Sequence, residues 1–436
     1  MKNLLRVACL LLVSMTAVQA GQAREQGFRA SLSVSPYTEM VIRKGMIFTD
    51  GATRAETTEQ LERMFRAHGG TEVYTRVATR WRTQPGNGDY SLDRALERAV
   101  LAKALGLPFN PELGLFSIYG DIRGEPAPDF SDYPLITVPG AWHTLTLEQM
   151  VSALTAYGSS VSRAILNTGV RVLIWDIGNE VEFGVAGVAP RPQDPSLFNQ
   201  LGGYQSPDRI DPEIGRMSEE TLLKMSEADR IAWLQAHLWP VEAKLLAAVA
   251  AGIRTVDPAA RFSTHLSGHA ALAPKLAVAF FEAMRDGGYQ VDEIGLSYFP
   301  TSSWSPPDRL EAFKNTVTLL YRTLGRPVFI AKYGYPSGPM SDPFPWNATV
   351  PQYPQTPSGQ AAFTYDLSAW GISSGMLSGI RPWAPELADF AWRPMAFFHA
   401  EGHLATANPA LDAISSALRA RSSKGSLDEM HAPGSP

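Results

Sequence analysis

The sequence predicts a single-domain (β/α)₈ TIM barrel with long βα loops, an α/β fold, and two features of the chain carry that prediction. Short β-rich runs alternate with longer amphipathic segments from residue 30 to residue 420, which is the pattern of repeated strand–helix units. Several of the short runs are almost continuously apolar, as expected for strands covered on both faces. Strict alternation of eight strands with eight helices favours a closed barrel over an open doubly wound sheet.

The predicted strands are rich in β-branched and aromatic residues and end at turn residues. They are Ser31–Ser35, Glu72–Val77, Leu113–Ile118, Val172–Ile177, Arg261–Leu266, Glu293–Tyr298, Val328–Tyr333 and Gly375–Ile380. The predicted helices have apolar periodicity and capping residues. They are Thr57–Arg66, Leu92–Ala104, Thr146–Leu166, Thr221–Val256, Ala273–Arg285, Arg309–Leu324, Ser358–Trp370 and Pro409–Ala420. No glycine-rich phosphate-binding motif follows a strand, which counts against a nucleotide-binding sheet.

Both ends of the chain are predicted to lie outside the barrel. A basic start, a short apolar core and the small-x-small sequence Val18-Gln19-Ala20 predict a signal peptide over residues 1–20. We therefore expect a secreted or periplasmic mature chain whose barrel spans residues 21–420. Residues 421–436, rich in Ser, Gly and Pro, are predicted to be a disordered tail.

Composition narrows the classes of function. Cys9 is the only cysteine and lies in the predicted signal peptide, so a mature chain would have no disulfide, thiolate metal site or cysteine nucleophile. A net charge of −5 without a basic block argues against nucleic acid as a partner. We expect no cofactor, no metal, no membrane contact after signal cleavage, and a monomer. The 10 Trp and 14 Tyr residues exceed what a core requires, so some are candidates for ligand platforms.

Two unusually long connections follow predicted strands and mark the face where a site would lie. Residues Tyr119–His143 follow the third strand, and Val181–Ser218 follow the fourth. In a barrel such loops lie at the C-terminal ends of the strands, where active sites are built. Long structured loops are uncommon unless they have a function.

The fourth predicted strand runs directly into the triplet Gly178-Asn179-Glu180, which places a carboxylate at the C-terminal rim. Gly178 allows a sharp turn, and Asn179 can hydrogen-bond a sugar hydroxyl. Cleavage of a glycosidic bond needs two carboxyl groups, one protonating the leaving oxygen and one acting as nucleophile or as base for water. Glu180 is therefore a candidate for one of the two.

At several strand ends the chain carries motifs that resemble one family when taken in order. The motifs are Phe116-Ser-Ile-Tyr-Gly-Asp121, Pro139-Gly-Ala-Trp142, Ile177-Gly-Asn-Glu180, Thr264-His-Leu266, Ile294-Gly-Leu-Ser-Tyr-Phe-Pro300, Ile330-Ala-Lys-Tyr-Gly-Tyr-Pro336 and Arg381-Pro-Trp-Ala-Pro385. Together they resemble glycoside hydrolase family 53, the endo-β-1,4-galactanases, which are retaining barrel enzymes of clan A. The resemblance covers nearly the whole mature chain. It implies a secreted hydrolase that cleaves β-linked galactan or a related plant polysaccharide.

The resemblance also implies roles for individual residues. Glu180 matches the acid/base with Asn179 as its usual neighbour, and Tyr298 matches the sixth-strand tyrosine that orients the nucleophile. Arg76 resembles the basic residue near the nucleophile, with Arg80 as the other possibility, and Trp383 resembles the innermost sugar-stacking platform. The remaining predicted substrate-binding residues are Asp121, Trp142 and His265.

The seventh strand departs from the family pattern, because Lys332 stands where the nucleophilic glutamate is expected. An ammonium group cannot replace a carboxylate in a glycosyl-enzyme intermediate, and pairing with Glu180 would lower the pKa of that carboxyl. A catalytically inactive carbohydrate-binding protein, an altered sequence and a clan A hydrolase for another β-glycan all remain open. Glu182 or Glu386 could supply a replacement carboxylate, for instance in an inverting arrangement.

Overall fold

Eight strands in the computed structural model pair in parallel to form one curled sheet, which confirms the predicted barrel class. The structure describes residues 27–82, 90–193, 198, 203–302 and 309–430, with side chains to residue 421. The predicted signal peptide lies outside these residues. The strands are β1 (Arg29–Ala30), β2 (Val73–Val77), β3 (Phe109–Leu113), β4 (Trp175–Ile177), β5 (Phe262–Leu266), β6 (Glu293–Tyr298), β7 (Val328–Tyr333) and β8 (Leu377–Pro382).

Each strand from β2 to β7 pairs with the next strand along the chain, and β8 pairs with β1. The two ends of this sheet meet near the start of β2. Thr71 N donates to Ala30 O (2.9 Å), and Tyr74 N donates to Ser33 Oγ (3.0 Å). These hydrogen bonds join β1 to β2 and bring the ends of the sheet together as a barrel.

The described helices lie between the strands, mostly close to the predicted bounds. The α-helices are Thr38–Arg43, Thr58–Ala67, Leu92–Leu105, Leu147–Asn167, Pro212–Arg216, Glu219–Lys224, Glu227–Trp233, Trp239–Arg254, Pro274–Asp286, Arg309–Leu324, Pro357–Ser374 and Ala413–Met430. Short 3₁₀ turns occur at Trp142–Thr144, Val181–Phe183, Ala270–Leu272, Phe390–Met395 and Pro409–Asp412.

The third strand was predicted four residues too late, at Leu113–Ile118 instead of Phe109–Leu113. Its sequence, Phe-Asn-Pro-Glu-Leu, contains a proline and a carboxylate, which normally argue against a buried strand. Glu112 is nevertheless fully buried, because Arg76, Arg381 and the hydroxyl of Tyr74 bind its carboxylate inside the barrel.

The long helix predicted over Thr221–Val256 is instead divided into several pieces. Ser226 accepts a hydrogen bond from Asp229 N (3.1 Å) and so caps a new helix at Glu227. A π-helical turn at Leu234–Leu238 precedes Pro240, which has no N–H to donate. Together, the pieces over Glu227–Arg254 are long and apolar enough to cross a membrane, but two-thirds of their most apolar stretch is buried inside the protein.

Two further features differ from the prediction. A four-stranded sheet of Phe398–Glu401, Leu404–Ala407, Ile47–Thr49 and Arg54–Ala55 was not foreseen. The helix Ala413–Met430 also extends through the first ten residues of the predicted disordered tail. Residues 431–436 lie outside the described part of the chain.

Candidate active site

The turn at the end of β4 holds Glu180 in a conformation that few non-glycine residues adopt. Gly178 has φ +85°, and a methyl group there would lie 2.4 Å from Cγ1 of Val181. Glu180 itself is left-handed (φ 59°, ψ 50°), and its N–H donates to His265 O on the neighbouring strand (3.1 Å). Strained backbone of this kind concentrates at functional sites.

Glu180 forms a buried ion pair with Lys332, the last residue but one of β7. Oε1 of Glu180 lies 2.8 Å from Nζ of Lys332, and both side chains are less than a tenth exposed. Ser297 on β6 lies opposite Lys332 in the strand register. Burial alone would raise the pKa of Glu180, but the ammonium of Lys332, with smaller contributions from His265 and the Ser297 hydroxyl, lowers it to about 2. Glu180 is therefore ionised at neutral pH.

A buried hydrogen-bonded network fixes the floor beneath this pair. Oδ1 of Asn179 accepts from Arg76 Nη2 (2.8 Å) and from His265 Nε2 (3.0 Å), while its amide donates to Gly120 O. The Arg76 guanidinium also binds Glu112. Arg76, Asn179 and His265 are fully buried and do not line the cleft. The structure thus brings three predicted substrate-binding residues together beneath the Glu180–Lys332 pair. They hold the pair in place and do not form part of the lining of the cleft.

Above the pair lies a cleft of about 700 Å³ whose lining is rich in aromatic residues. Trp383, at the end of β8, has its ring centroid 5.7 Å from Lys332 Nζ and 4.6 Å from the Arg76 guanidinium carbon. Asp121 also lines the cleft, where its carboxylate binds Arg123 (3.0 Å) and accepts from the Tyr119 hydroxyl (3.0 Å). The positions of Trp383 and Asp121 in the cleft suit the substrate-binding roles predicted for them.

An aromatic wall that was not predicted forms another side of the cleft. Phe299, Phe344, Trp346 and Trp392 line it, with neighbouring ring centroids 5.2 to 5.9 Å apart. They lie beyond β6, β7 and β8. The sequence feature that could have predicted this wall is the clustering of aromatic residues in long loops on the C-terminal face.

Two further predicted substrate-binding residues, Tyr298 and Trp142, also lie outside the lining of the cleft. Tyr298 points into the helix layer, where its ring stacks on Phe313 at 3.9 Å and its hydroxyl donates to Arg309 O (3.2 Å). Adjacent residues on a strand face opposite sides, so Ser297 faces Glu180 and Tyr298 cannot orient a group at position 332. Trp142 lines a different cavity, and its Nε1 donates to Ala186 O (2.6 Å).

Neither suggested replacement carboxylate reaches the cleft. Glu182 is fully buried and accepts from the amide (3.0 Å) and the hydroxyl of Ser267. Glu386 is fully buried and accepts from the amide of Ser35 (2.8 Å) and the hydroxyls of Ser35 and Thr38. Within the described part of the chain, the carboxylates lining the cleft are Asp121, Glu180 and Asp342.

One buried cluster has side chains of the type that bind metals. Glu112, Asp176 and His265 place ligand atoms within 4.8 Å of one another. The guanidinium of Arg381 lies 3.3 Å from Glu112 and 3.6 Å from Asp176, and Arg76 also binds Glu112. The two arginines supply the positive charge that these carboxylates require, so the cluster is a structural ion-pair network.

Sequence and fold comparisons agree on one family. The model of the family described as glycosyl hydrolase family 53 matches residues 49–407. A probable arabinogalactan endo-β-1,4-galactanase A from Aspergillus fumigatus is 22% identical over 314 residues, covering 70% of each chain. An uncharacterised protein from Niallia circulans is 23% identical over 329 residues, covering 73% of this chain and 74% of that one.

Two solved structures share the fold. The GH53 catalytic domain of Ignisphaera aggregans superposes with a TM-score of 0.63 at 17% identity, covering 89% of this chain and 95% of that one. A structure described as one of two fungal β-1,4-galactanases has a TM-score of 0.63 at 18% identity, covering 89% and 98%. The chain therefore belongs to glycosyl hydrolase family 53, a galactanase-like glycosidase family of clan A, with which a retaining mechanism is consistent.

Proposed function

We propose that this chain is an exported family 53 protein that binds β-1,4-linked galactan, or a related plant polysaccharide, in the cleft above Glu180 and Lys332. Glu180 takes the acid/base position, and Lys332 takes the position of the nucleophile. In this form the cleft binds the glycan, but retaining hydrolysis is slowed by several orders of magnitude. The 2.8 Å contact between Glu180 Oε1 and Lys332 Nζ is the observation that carries the proposal.

The pair lacks both groups that the first step of retaining hydrolysis needs. In that step one carboxylate attacks the anomeric carbon while a second carboxyl group protonates the leaving oxygen. The two carboxyl groups lie about 5–5.5 Å apart. Lys332 offers an ammonium group and cannot form the glycosyl ester. Glu180, whose pKa of about 2 is set by Lys332 against the opposing effect of burial, has no proton to donate at neutral pH.

The cleft keeps the features expected of a glycan site. Its volume of about 700 Å³ lies in the range of ligand sites, roughly 300–1,000 Å³. Aromatic rings suit the apolar faces of pyranose rings, and Trp383 beside Lys332 supplies one at the centre. The Lys332 ammonium can donate to a sugar hydroxyl with the N–H groups that Glu180 does not occupy. The relatives named as galactanases support galactan as the ligand.

A paired measurement of binding and hydrolysis tests this function. We expect the wild-type chain to bind β-1,4-galactan oligosaccharides in titration calorimetry and to release almost no reducing ends from galactan. Trp383→Ala should weaken binding about fivefold or more, on the scale of the roughly 1–3 kcal/mol that alanine substitution of an aromatic stacking platform costs. Trp370→Ala, which changes a tryptophan on the helix Pro357–Ser374, is the matched control. Xylan and mannan oligosaccharides test the choice of glycan, and tighter binding of either would contradict galactan.

Export is a separate part of the proposal. Residues 1–20 have the three regions of a signal peptide, and cleavage after Ala20 would remove the only cysteine. Expression with the native N-terminus in a bacterial host should yield a periplasmic or secreted protein that begins at Gly21. N-terminal sequencing checks this expectation, and a full-length chain retained in the cytoplasm would contradict it.

A further inference from the structure

A second cavity, of about 370 Å³, lies beside the cleft on the C-terminal face. It is lined by residues that follow β2, β3 and β4, among them Arg80, Ser117, Asp129, Trp142 and His143, and is called the side pocket here. The loop after β3 serves both cavities, because its residues Tyr119 and Asp121 line the cleft whereas Ser117 and Asp129 line the side pocket. One loop therefore contributes to the lining of both cavities.

Hydrogen bonds hold the polar end of the side pocket in place. Thr79 N donates to Phe116 O (2.8 Å), which joins the ends of β2 and β3. The next residues along each strand end, Arg80 and Ser117, consequently lie side by side in the lining. Thr79 Oγ1 accepts from Asp129 N (2.8 Å) and fixes the third polar residue beside them. Thr79 is fully buried, so this arrangement exists before any ligand binds.

The polar groups there are suited to a neutral ligand with several hydroxyls. Ser117 is 4% exposed, and its buried hydroxyl has no hydrogen-bond partner within the described residues. An unsatisfied buried hydroxyl is costly, and a ligand hydroxyl would satisfy it. Arg80 Nε lies 3.5 Å from Asp129 Oδ2, so the pair offers donors and an acceptor with no net charge. An anionic ligand would have to compete with Asp129 for the guanidinium.

The remaining lining mixes polar and apolar residues, and its apolar part is equally well fixed. The Trp142 ring is held by its hydrogen bond to Ala186 O. Gly187 N donates to Glu125 O (3.0 Å), and a methyl group on Gly187 would meet Ala127 Cα at 2.8 Å, so the two loops pack closely. A pocket lined by several hydrogen-bonding groups and by the Trp142 ring matches a pyranose ring, which has hydroxyls at its edge and apolar faces.

From this geometry we propose that the side pocket binds one sugar residue of the same neutral glycan chain that occupies the cleft. Arg80, Asp129 and Ser117 hydrogen-bond its hydroxyls. The inference rests on the proposed function, since it takes the cleft to be a glycan site. It adds a second point of attachment, away from the Glu180–Lys332 pair, that makes affinity depend on the length of the oligosaccharide.

Calorimetric titration with β-1,4-galactan oligosaccharides of two to six residues tests the side pocket. Arg80→Ala and Ser117→Leu should weaken binding of the longest oligosaccharides about tenfold or more, the effect of one lost hydrogen bond to a charged group or a blocked site, and leave the shortest unchanged. Arg285→Ala, on the helix Pro274–Asp286, is the control for removing an arginine. Thermal unfolding of each variant shows that it is folded, and Arg80→Ala keeps the test valid if Ser117→Leu does not fold.

The outcomes separate the two proposals. Loss of affinity at every length in Trp383→Ala, together with a length-dependent loss in Arg80→Ala, supports both. If Trp383→Ala weakens binding but Arg80→Ala and Ser117→Leu bind all lengths as the wild type does, the side pocket proposal is wrong and the cleft proposal stands. A wild-type chain that binds no galactan oligosaccharide contradicts both.

Discussion

Lys332 Nζ lies 2.8 Å from Glu180 Oε1, so the two residues to which the proposed function gives the nucleophile and acid/base positions form an ion pair. Both side chains are buried beneath the Trp383 ring. Water therefore screens the two charges only weakly, and their attraction is stronger than it would be at the surface. In the proposed function, this pair accounts for a chain that has the fold of a glycosidase and a glycan-binding cleft but lacks the groups for double displacement.

Removing one partner of the pair should destabilise the protein. Lys332→Met leaves the Glu180 carboxylate buried without its cation, and we expect a loss of about 3–5 kcal/mol in the free energy of unfolding at pH 7. The double variant Glu180→Gln/Lys332→Met removes both charges and should recover most of that loss. Urea denaturation measures both. Equal losses in the single and double variants would contradict a coupled pair.

The pair also predicts how stability responds to acid. The folded-state pKa of Glu180 is lowered, so its contribution to stability is present above the ordinary carboxyl pKa and is lost as the pH falls towards 2. In Lys332→Met burial dominates and raises the pKa of Glu180, so that variant should gain stability relative to wild type on acidification from pH 7 to pH 4. The difference in unfolding free energy between the two chains across this range checks the sign.

Glu182 should make stability depend on pH in the opposite direction. Burial raises its pKa to about 7, against the hydrogen bonds from Ser267, with a smaller contribution from Glu180. A raised carboxyl pKa gives stability that is present at low pH and is lost as the pH rises to about 7. Relative to Glu182→Gln, wild type should lose up to about 3 kcal/mol between pH 5 and pH 8. Burial likewise raises the pKa of Glu62 to about 7. Because Glu62 is present in both chains, its effect on stability cancels in the comparison.

Tyr298 should contribute to the stability of the fold and not to ligand binding. Tyr298→Phe removes the hydrogen bond to Arg309 O and should cost about 0.5–1.5 kcal/mol of stability with no change in oligosaccharide affinity. Tyr353→Phe removes a hydroxyl that donates a hydrogen bond to Asp366. It is a control for the loss of a tyrosine hydroxyl. Denaturation and calorimetric titration report the two effects separately. Weaker sugar binding by Tyr298→Phe at unchanged stability would show that its hydroxyl serves the site.

The sequence predicted the fold best where local pattern and tertiary environment agree. The bounds of β6, β7 and the helix Arg309–Leu324 were predicted correctly, because apolar strands and an amphipathic helix follow simple periodicities. β3 was misplaced because its buried Glu112 is stabilised by arginines from β2 and β8. Partners so distant in sequence cannot be read from a local pattern.

The site was predicted in part for a related reason. Strand ends located Glu180, Lys332 and Trp383, because the C-terminal ends of parallel strands meet on one face. The side of the strand on which a residue lies depends on register, and that decided between Ser297 and Tyr298. Loop aromatic residues such as Trp142 and Trp346 depend on the path of long connections, which carries no periodic signal.

The rate of galactan hydrolysis by Lys332→Glu, relative to wild type, tests the central claim most directly. Lys275→Glu, the same change at an exposed position, is the control. Restoring a carboxylate supplies a nucleophile and releases Glu180 from its cation, so we expect the rate of reducing-end formation to rise on the order of 10³-fold or more, with Lys275→Glu unchanged. A wild-type chain that already hydrolyses galactan at a rate that Lys332→Glu does not increase would contradict the account.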